Sequence, residues 1–366
     1  MRRARRNGSC GLFGRIFLQL EHARQVPRGC PGGTSPASGR LTGARPPDHL
    51  SAMRIVGRLL LVLVALLGAA LWWLSSSVPV PETSSFWLAR ADALDELRRT
   101  ATGTGPAEVR VGIVGRTEMP ASFNTAWSGF APEPRVFVTL QLVYPDRHVM
   151  IDAPFGAATQ REILGDDAPF DAEQFARMQQ ALASADTIFV SHVHRDHVGG
   201  LADAPDPRAL LARTVVTPEQ KAGLRRKGEV EPGDPATLGF DVPDFDGLKQ
   251  VLAIDRLAPV APGVVAIATP GHTPGHLLFY VRTANGREIL YVGDLAWSFR
   301  NLEVARSRPR AIAEYFLHED APAVADQLRA LITFAELNPE VTILVSHDAE
   351  HLERQIDLGV VEEGLR

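Results

Sequence analysis

The apolar run Thr187-Ile188-Phe189-Val190 passes without a break into Ser191-His192-Val193-His194-Arg195-Asp196-His197-Val198-Gly199-Gly200. A short apolar run bounded by turn residues reads as a buried strand. Its tip is then a loop holding three imidazoles and a carboxylate within six residues, where binding groups commonly sit on a rigid scaffold. Histidine and aspartate are ligands that a borderline divalent ion such as zinc accepts. The bland alternative is a solvated loop rich in histidine by accident, in a chain with 11 His among 366 residues. The first reading asks the fold for a strand whose end can serve a metal.

Three more runs end in the same way. Val264-Val265-Ala266-Ile267-Ala268 leads to Thr269-Pro270-Gly271-His272-Thr273-Pro274-Gly275-His276, Ile289-Leu290-Tyr291-Val292 to Gly293-Asp294, and Val341-Thr342-Ile343-Leu344-Val345 to Ser346-His347-Asp348. Each is a β-type run broken by turn chemistry, with a metal-competent side chain at the break. Strands interleaved with helical patterns support an α/β class.

In this order, across roughly residues 108–350, the four motifs resemble the metallo-β-lactamase superfamily. The resemblance implies a four-layer αβ/βα sandwich holding two divalent metal ions, with zinc inferred from ligand type. Carried over by residue, it implies His192, His194 and His272 on one metal, and Asp196, His197 and His347 on the other. Asp294 would bridge them. Asp152, ending Val149-Met150-Ile151-Asp152, would orient a ligand histidine; the alternative is a plain strand-end turn residue. Two such metals lower the pKa of a bound water to give hydroxide at neutral pH, and one polarises the scissile oxygen. Asp196 or Asp294 would assist proton transfer to the leaving group.

Branches of the family differ in ways this sequence addresses. True β-lactamases of this fold lack the bridging Asp. Glyoxalase II-like thioesterases carry a helical domain after the last His, whereas 19 residues follow His347 here. Flavodiiron proteins have Glu where His194 stands. The ligand set with Thr-Pro-Gly-His-Thr-Pro-Gly-His looks most like N-acyl-homoserine lactonases, but Trp297 stands where those carry Tyr. Methyl-parathion-hydrolase-like enzymes share the ligand set. The resemblance thus implies hydrolysis of a lactone or related ester of a small molecule, with phosphotriester or phosphodiester hydrolysis as the alternative. A nuclease is a weaker reading, as is a non-catalytic metal- or partner-binding member.

Charge bears on partners. Residues 1–52 carry nine Arg, no Lys and two acids, a balance of +7, so the remainder carries −12 to reach the total of −5. A body that acidic is poorly suited to grip a polyanion, and no nucleic-acid partner is expected. Residues 1–52, rich in Arg, Gly, Pro and Ser, show no sustained period and read as a disordered segment. Met53, a basic residue and an apolar core then follow, so the biological start is expected at Met53. Both cysteines, Cys10 and Cys30, precede it. Thiolate ligation by the remainder is excluded, and no disulfide is needed there.

Residues 59–74 hold no charge. That length lies between a signal-peptide core and a membrane span of about 20 residues. Arg54 and Arg58 precede it and an uncharged Ser/Val/Pro segment follows. The positive-inside rule then puts the C-terminal part on the exported side, with Trp72 and Trp73 as interfacial anchors. Residues 53–76 are expected to be an uncleaved anchor, or else a cleaved signal that releases the protein. Beyond it, 77–107 reads as a linker with a helix and 108–366 as the hydrolase domain.

Within that domain, Val136–Val143 alternates as a half-buried strand should. A helix is expected over 171–184, with Phe175, Met178 and Leu182 on one face. The Pro-rich insertion 201–262, with a loop at Asp241–Gly247, is either a cleft wall or a plain connection. Trp297 is either a pocket wall or core. A helix pair spans 310–336, with Leu328, Leu331, Ile332 and Leu337 as core. His276 reads as packed or solvated, with support of a neighbouring metal ligand as the alternative; His351 reads as exposed, His148 and His318 belong to no motif, and none of the four is assigned to metal.

Overall fold

A computed structural model describes residues 49–224, 248 and 250–366. The strands in chain order are β1 (Glu108–Pro120), β2 (Pro132–Val143), β3 (His148–Ile151), β4 (Thr187–Phe189), β5 (Thr214–Val216), β6 (Gln250–Val251), β7 (Leu257–Ala261), β8 (Val264–Ala268), β9 (Leu277–Arg282), β10 (Glu288–Tyr291), β11 (Val341–Leu344) and β12 (Glu362–Glu363). They form a seven-stranded sheet ordered β12-β1-β2-β3-β4-β5-β6 and a five-stranded sheet ordered β11-β10-β9-β8-β7. β3 through β6 pair in parallel, as do β10 and β11, while β1–β2–β3 and β7 through β10 are antiparallel.

The period of two along a strand sends neighbours to opposite faces and so defines the layers. Val109, Val111, Val149, Ile151 and Phe189 of the first sheet meet Val264, Ala266, Phe279 and Tyr291 of the second in one core between the sheets. From the outer face of the first sheet, Met150 and Ile188 pack on Met178 and Leu182 of the helix Ala172–Ser184 and on Val198 and Leu201 of the helix Arg195–Ala202. From the outer face of the second, Val265, Ile267, Leu278 and Leu290 pack on Leu328, Leu331 and Phe334 of the helix Ala321–Leu337. The order helix, sheet, sheet, helix is the four-layer αβ/βα sandwich. Leu88, Leu94 and Leu97, between the apolar helix and β1, join that last core.

Local chemistry starts the helix Ala172–Ser184 where expected, and the stretch 310–336 resolves into a short helix Arg310–Ala313 and the long helix Ala321–Leu337. Asp171 accepts from the Gln174 N–H, and Asp320 accepts from the Ala323 N–H ahead of Pro322. These caps satisfy amide groups that a helix start leaves unpaired.

Three expectations require correction. Positions 135–142 of β2 are buried throughout rather than alternately, because its sheet is covered on both faces. The polar members there have partners: the Thr139 hydroxyl donates to the Asp152 carbonyl, and the Gln141 amide donates to the Arg366 carbonyl. Leu337 is exposed, as the last residue of a helix whose end clears the core. His351 is buried, stacked on Phe299 and bonded through Nε2 to the Ile343 carbonyl at 2.9 Å.

One described helix, within His49–Ser75, is long and apolar enough to cross a membrane, over Met53–Ser75. A compact unit running from Gly68 to the C-terminus contains both sheets. Residues 1–48, and 225–247 of the insertion with its Asp241–Gly247 loop, lie outside the described residues.

Candidate metal centre

All four motifs end at one edge of the two sheets. The loop after β4 turns into the helix Arg195–Ala202, seated on residues 153–155. The Ala153 N–H donates to the His197 carbonyl at 2.7 Å, and the Gly200 N–H donates to the Ala153 carbonyl at 2.8 Å. A Cβ on Gly200 would lie 2.5 Å from the Pro154 carbonyl oxygen, so this approach requires glycine. Gln220 ties two of the loops together: its buried amide donates to the Val190 and Gly275 carbonyls, each at 2.9 Å. Gly293 takes the left-handed φ of 48° that turns the chain into Asp294, where a Cβ would come 2.9 Å from His276 Nε2.

The seven residues singled out in the sequence converge. Ligand-competent atoms of His192, His194, His272 and Asp294 lie within 4.8 Å of one another, and those of Asp196, His197, Asp294 and His347 do the same. His272 Nε2 is 3.0 Å from His194 Nδ1 and 3.2 Å from His192 Nε2, which is itself 3.1 Å from His194 Nδ1. Across the centre, Asp294 Oδ1 is 3.2 Å from His197 Nε2 and 3.1 Å from His347 Nε2, while Oδ2 is 3.3 Å from His272 Nε2. The two oxygens of Asp294 thus serve two histidine sets. Asp196 Oδ2 is 3.4 Å from His347 Nε2.

Surrounding residues fix which ring nitrogens face inward. Asp152 is fully buried and held at a φ of 65°. Its carboxylate accepts from the Ser191 N–H at 2.6 Å, from the Tyr291 hydroxyl at 2.8 Å and from His197 Nδ1 at 2.8 Å. His347 Nδ1 donates to the Val136 carbonyl at 2.8 Å. His272 Nδ1 donates to Glu319, whose carboxylate also meets Arg308 at 3.3 Å. Such partners set tautomer and ring orientation in metal sites. The inward Nε2 atoms of His197 and His347 are buried without a hydrogen-bond partner. Buried nitrogens in that state are uncommon, and a divalent cation among these acids and imidazoles would satisfy them.

Charge on the groups follows burial and neighbours. Burial holds the pKa of His192 and His194 well below the ordinary imidazole value, with neighbouring histidines adding to it. Burial also opposes charge on His197 and His272, but carboxylates outweigh it: Asp294, Asp152 and Asp196 for His197, Asp294 and Glu319 for His272. Burial likewise opposes ionisation of Asp294, yet His347, His197 and His192 hold its carboxyl well below the usual carboxylate range.

Trp297 is buried, and its indole N–H donates to Asp294 Oδ2 at 2.7 Å. Ser346 donates to Oδ1 at 2.8 Å. Phe123 stacks on the Trp297 ring at 6.0 Å, and the guanidinium carbons of Arg135 and Arg308 lie 4.2 and 4.4 Å from its centroid. Burial lowers the pKa of Arg135 to about 10, still protonated at neutral pH. His276 is packed, accepting the Asp294 N–H on Nε2 at 3.1 Å and meeting the Thr269 hydroxyl through Nδ1 at 2.8 Å. Glu319, Ser346, Gln220, Arg135 and Arg308 were not singled out from the sequence. The capping pattern Thr217-x-x-Gln220 was the one local signal present, and it marks a helix start rather than a tie between loops.

Residues 136–347 match the family model of the metallo-beta-lactamase superfamily. A probable metallo-hydrolase of Mycobacterium tuberculosis is 26% identical over 188 residues, which cover 49% of this chain and 60% of that protein. The N-acyl homoserine lactonase AttM of Agrobacterium fabrum is 30% identical over 177 residues, covering 45% of this chain and 60% of the relative. The chain thus spans less than two thirds of these relatives' own length. A solved structure of an N-acyl homoserine lactone hydrolase, with the product N-hexanoyl-L-homoserine at its catalytic metal center, superimposes with a TM-score of 0.50 at 18% identity. It covers 69% of this chain and 96% of that one. That likeness concerns the fold. The family-model match over residues 136–347 contains all seven convergent residues. The chain belongs to the metallo-beta-lactamase superfamily.

Proposed function

We propose that this protein is a dinuclear metal-dependent hydrolase that cleaves an ester-type bond, a lactone or related ester of a small molecule. The observation that carries this reading is Asp294, whose two carboxylate oxygens face two separate histidine sets. His192, His194 and His272 would hold one ion and Asp196, His197 and His347 the other, with Asp294 between them and zinc the ion that suits these ligands. Two such ions would lower the pKa of a water and polarise the scissile oxygen. The chain's own residues do the rest. Asp152, Glu319 and the Val136 carbonyl orient imidazoles, while Ser346 and Trp297 hold both oxygens of Asp294. Asp196, the most exposed of these acids, or Asp294 would take the proton lost by the attacking water and pass it to the leaving group.

Names of relatives support a lactone: AttM is called an N-acyl homoserine lactonase. One observation favours a second reading. The Trp297 indole N–H is already committed to Asp294, and a phenol hydroxyl is absent at that position. An aryl ester or phosphotriester, whose leaving group needs less help, is therefore the second reading. Acid release by the zinc-loaded protein separates them across an N-acyl-homoserine lactone, a thioester, an aryl ester and a phosphotriester. Turnover of the lactone supports the first reading, and turnover confined to the aryl or phosphoester supports the second. Full turnover by Asp294→Asn would overturn both.

The domain reading goes with this function: an anchor over 53–76 and a hydrolase domain over 108–366 on the exported side, joined by a 77–107 stretch whose Leu88, Leu94 and Leu97 pack into the domain's core. Length and composition of the apolar helix support the anchor.

A further inference from the structure

We propose that the catalytic body rests on the lipid surface through a face of its own. That face is built by Trp72, Trp73, Trp127, Phe130, Tyr315 and Phe316. The inference rests on the reading of Met53–Ser75 as a membrane span and extends it to the folded body.

Six large aromatics stand exposed where a folded surface usually hides them: Phe130 is 87% exposed and Phe316 66%. They come from three separated stretches of chain, and four of them meet, with Phe130 and Phe316 close along the chain to Trp127 and Tyr315. The Trp72 and Trp127 rings lie 5.9 Å apart, and Trp73 and Tyr315 stand edge to face at 6.0 Å. The Trp127 indole N–H donates to the Ser75 hydroxyl at 3.2 Å, and the Arg310 N–H donates to the Ser76 carbonyl at 2.7 Å. The end of the apolar helix is thus stitched to the body at this patch. A contiguous exposed apolar patch marks an interaction site.

Residue chemistry selects the occupant. Tryptophan and tyrosine favour the boundary between hydrocarbon and headgroups. Arginine stems bury their carbons while the guanidinium reaches lipid phosphate. Arg306 lies 5.5 Å from the Trp127 centroid and Arg310 5.0 Å from that of Trp73. Arg300 joins the same loop through Ser128 at 3.1 Å. Arg310 is paired with Glu314, so the two together add no net charge, and Arg300 and Arg306 supply the positive fringe. Trp127 holds a left-handed φ of 61°, a conformation that a bulky residue rarely adopts, while Ala126 beside it is pinned by its N–H to the Ser307 carbonyl. The Trp127 side chain stands half exposed at the patch. An apolar span that ends in an aromatic, arginine-fringed face continues naturally into headgroups. A second copy of the chain would not require that continuity.

The test uses the full chain with Cys10 and Cys30 changed to Ser, reconstituted in phosphatidylcholine–phosphatidylglycerol vesicles. Nitroxide labels are placed at Phe130→Cys, Phe316→Cys and, as control, Leu358→Cys. Leu358 precedes Gly359, which bonds Arg287 at the end of β10 away from Asp294. Flotation after a carbonate wash reports the span. The ratio of oxygen to nickel-chelate collision rates then reports depth at each label. The expected result is a ratio several-fold higher at 130 and 316 than at 358. A floating chain whose three labels give equal ratios keeps the span and overturns the face. Spin–spin broadening at 130 and 316 without excess oxygen collision would assign the patch to a second copy and also overturn it. Loss of the chain in carbonate would remove the span and the face together.

Discussion

Glu319 shows how much a site owes to residues that no motif marks. It is buried, lies 47 positions from His272 along the chain, and holds that ring by Nδ1. Glu319→Gln keeps the shape but weakens the acceptor. Metal affinity in a chelator competition is expected to fall about 10–100-fold, the usual effect of losing such a partner. Trp297 makes the second argument. Phe at that position fills the volume and removes the N–H from Asp294. Hydrogen bonds to charged groups contribute about 1.5–3 kcal/mol. The expected loss in kcat/KM for Trp297→Phe is therefore about tenfold or more, with the fold unchanged by circular dichroism. The seven convergent residues were legible in sequence because each sits at a strand end beside turn chemistry. Glu319, Ser346 and Gln220 were not, because their partners lie 47, 52 and 55 positions away.

The helix Ala321–Leu337 closes the outer face of the second sheet, with Leu328 and Leu331 wholly buried. Leu331→Ala leaves a cavity that backbone relaxation fills only in part. A loss of about 2–5 kcal/mol is expected in denaturant unfolding. The helix Ala349–Asp357 carries a pH-dependent element. Burial lowers the pKa of His351 below its ordinary value. The unfolded chain therefore binds its proton more readily than the folded one. Its contribution to stability is present above the unfolded value, about pH 6.5, and is lost as pH falls toward the folded value. The drop in Tm between about pH 8 and about pH 5 should be smaller in His351→Gln than in the parent. A pattern read along one strand or helix shows which residues are apolar, but not how many faces the tertiary structure covers. For that reason β2 is buried on both faces, Leu337 is exposed, and His351 is buried.

Across the molecule, the centre concentrates Asp152, Asp196, Asp294 and Glu319 around five buried histidines. A cation that binds the folded state and not the unfolded one adds stability by mass action, about 2.7 kcal/mol at a hundred times its Kd. Chelation is expected to lower Tm, and zinc to restore it. An unchanged Tm after verified metal removal would contradict a structural contribution from the ions.

The sequence alone determined which residue types stand at the four strand ends, because a ligand-bearing turn after an apolar run is a local pattern. It also determined that one stretch near the N-terminus is apolar enough for a membrane. Only the tertiary structure decided that these turns share one edge of two sheets, that Asp294 faces both histidine sets, and that distant side chains hold the rings in place. Those are contacts between residues far apart in the chain. No local period encodes them; the packing of two sheets on a common core does.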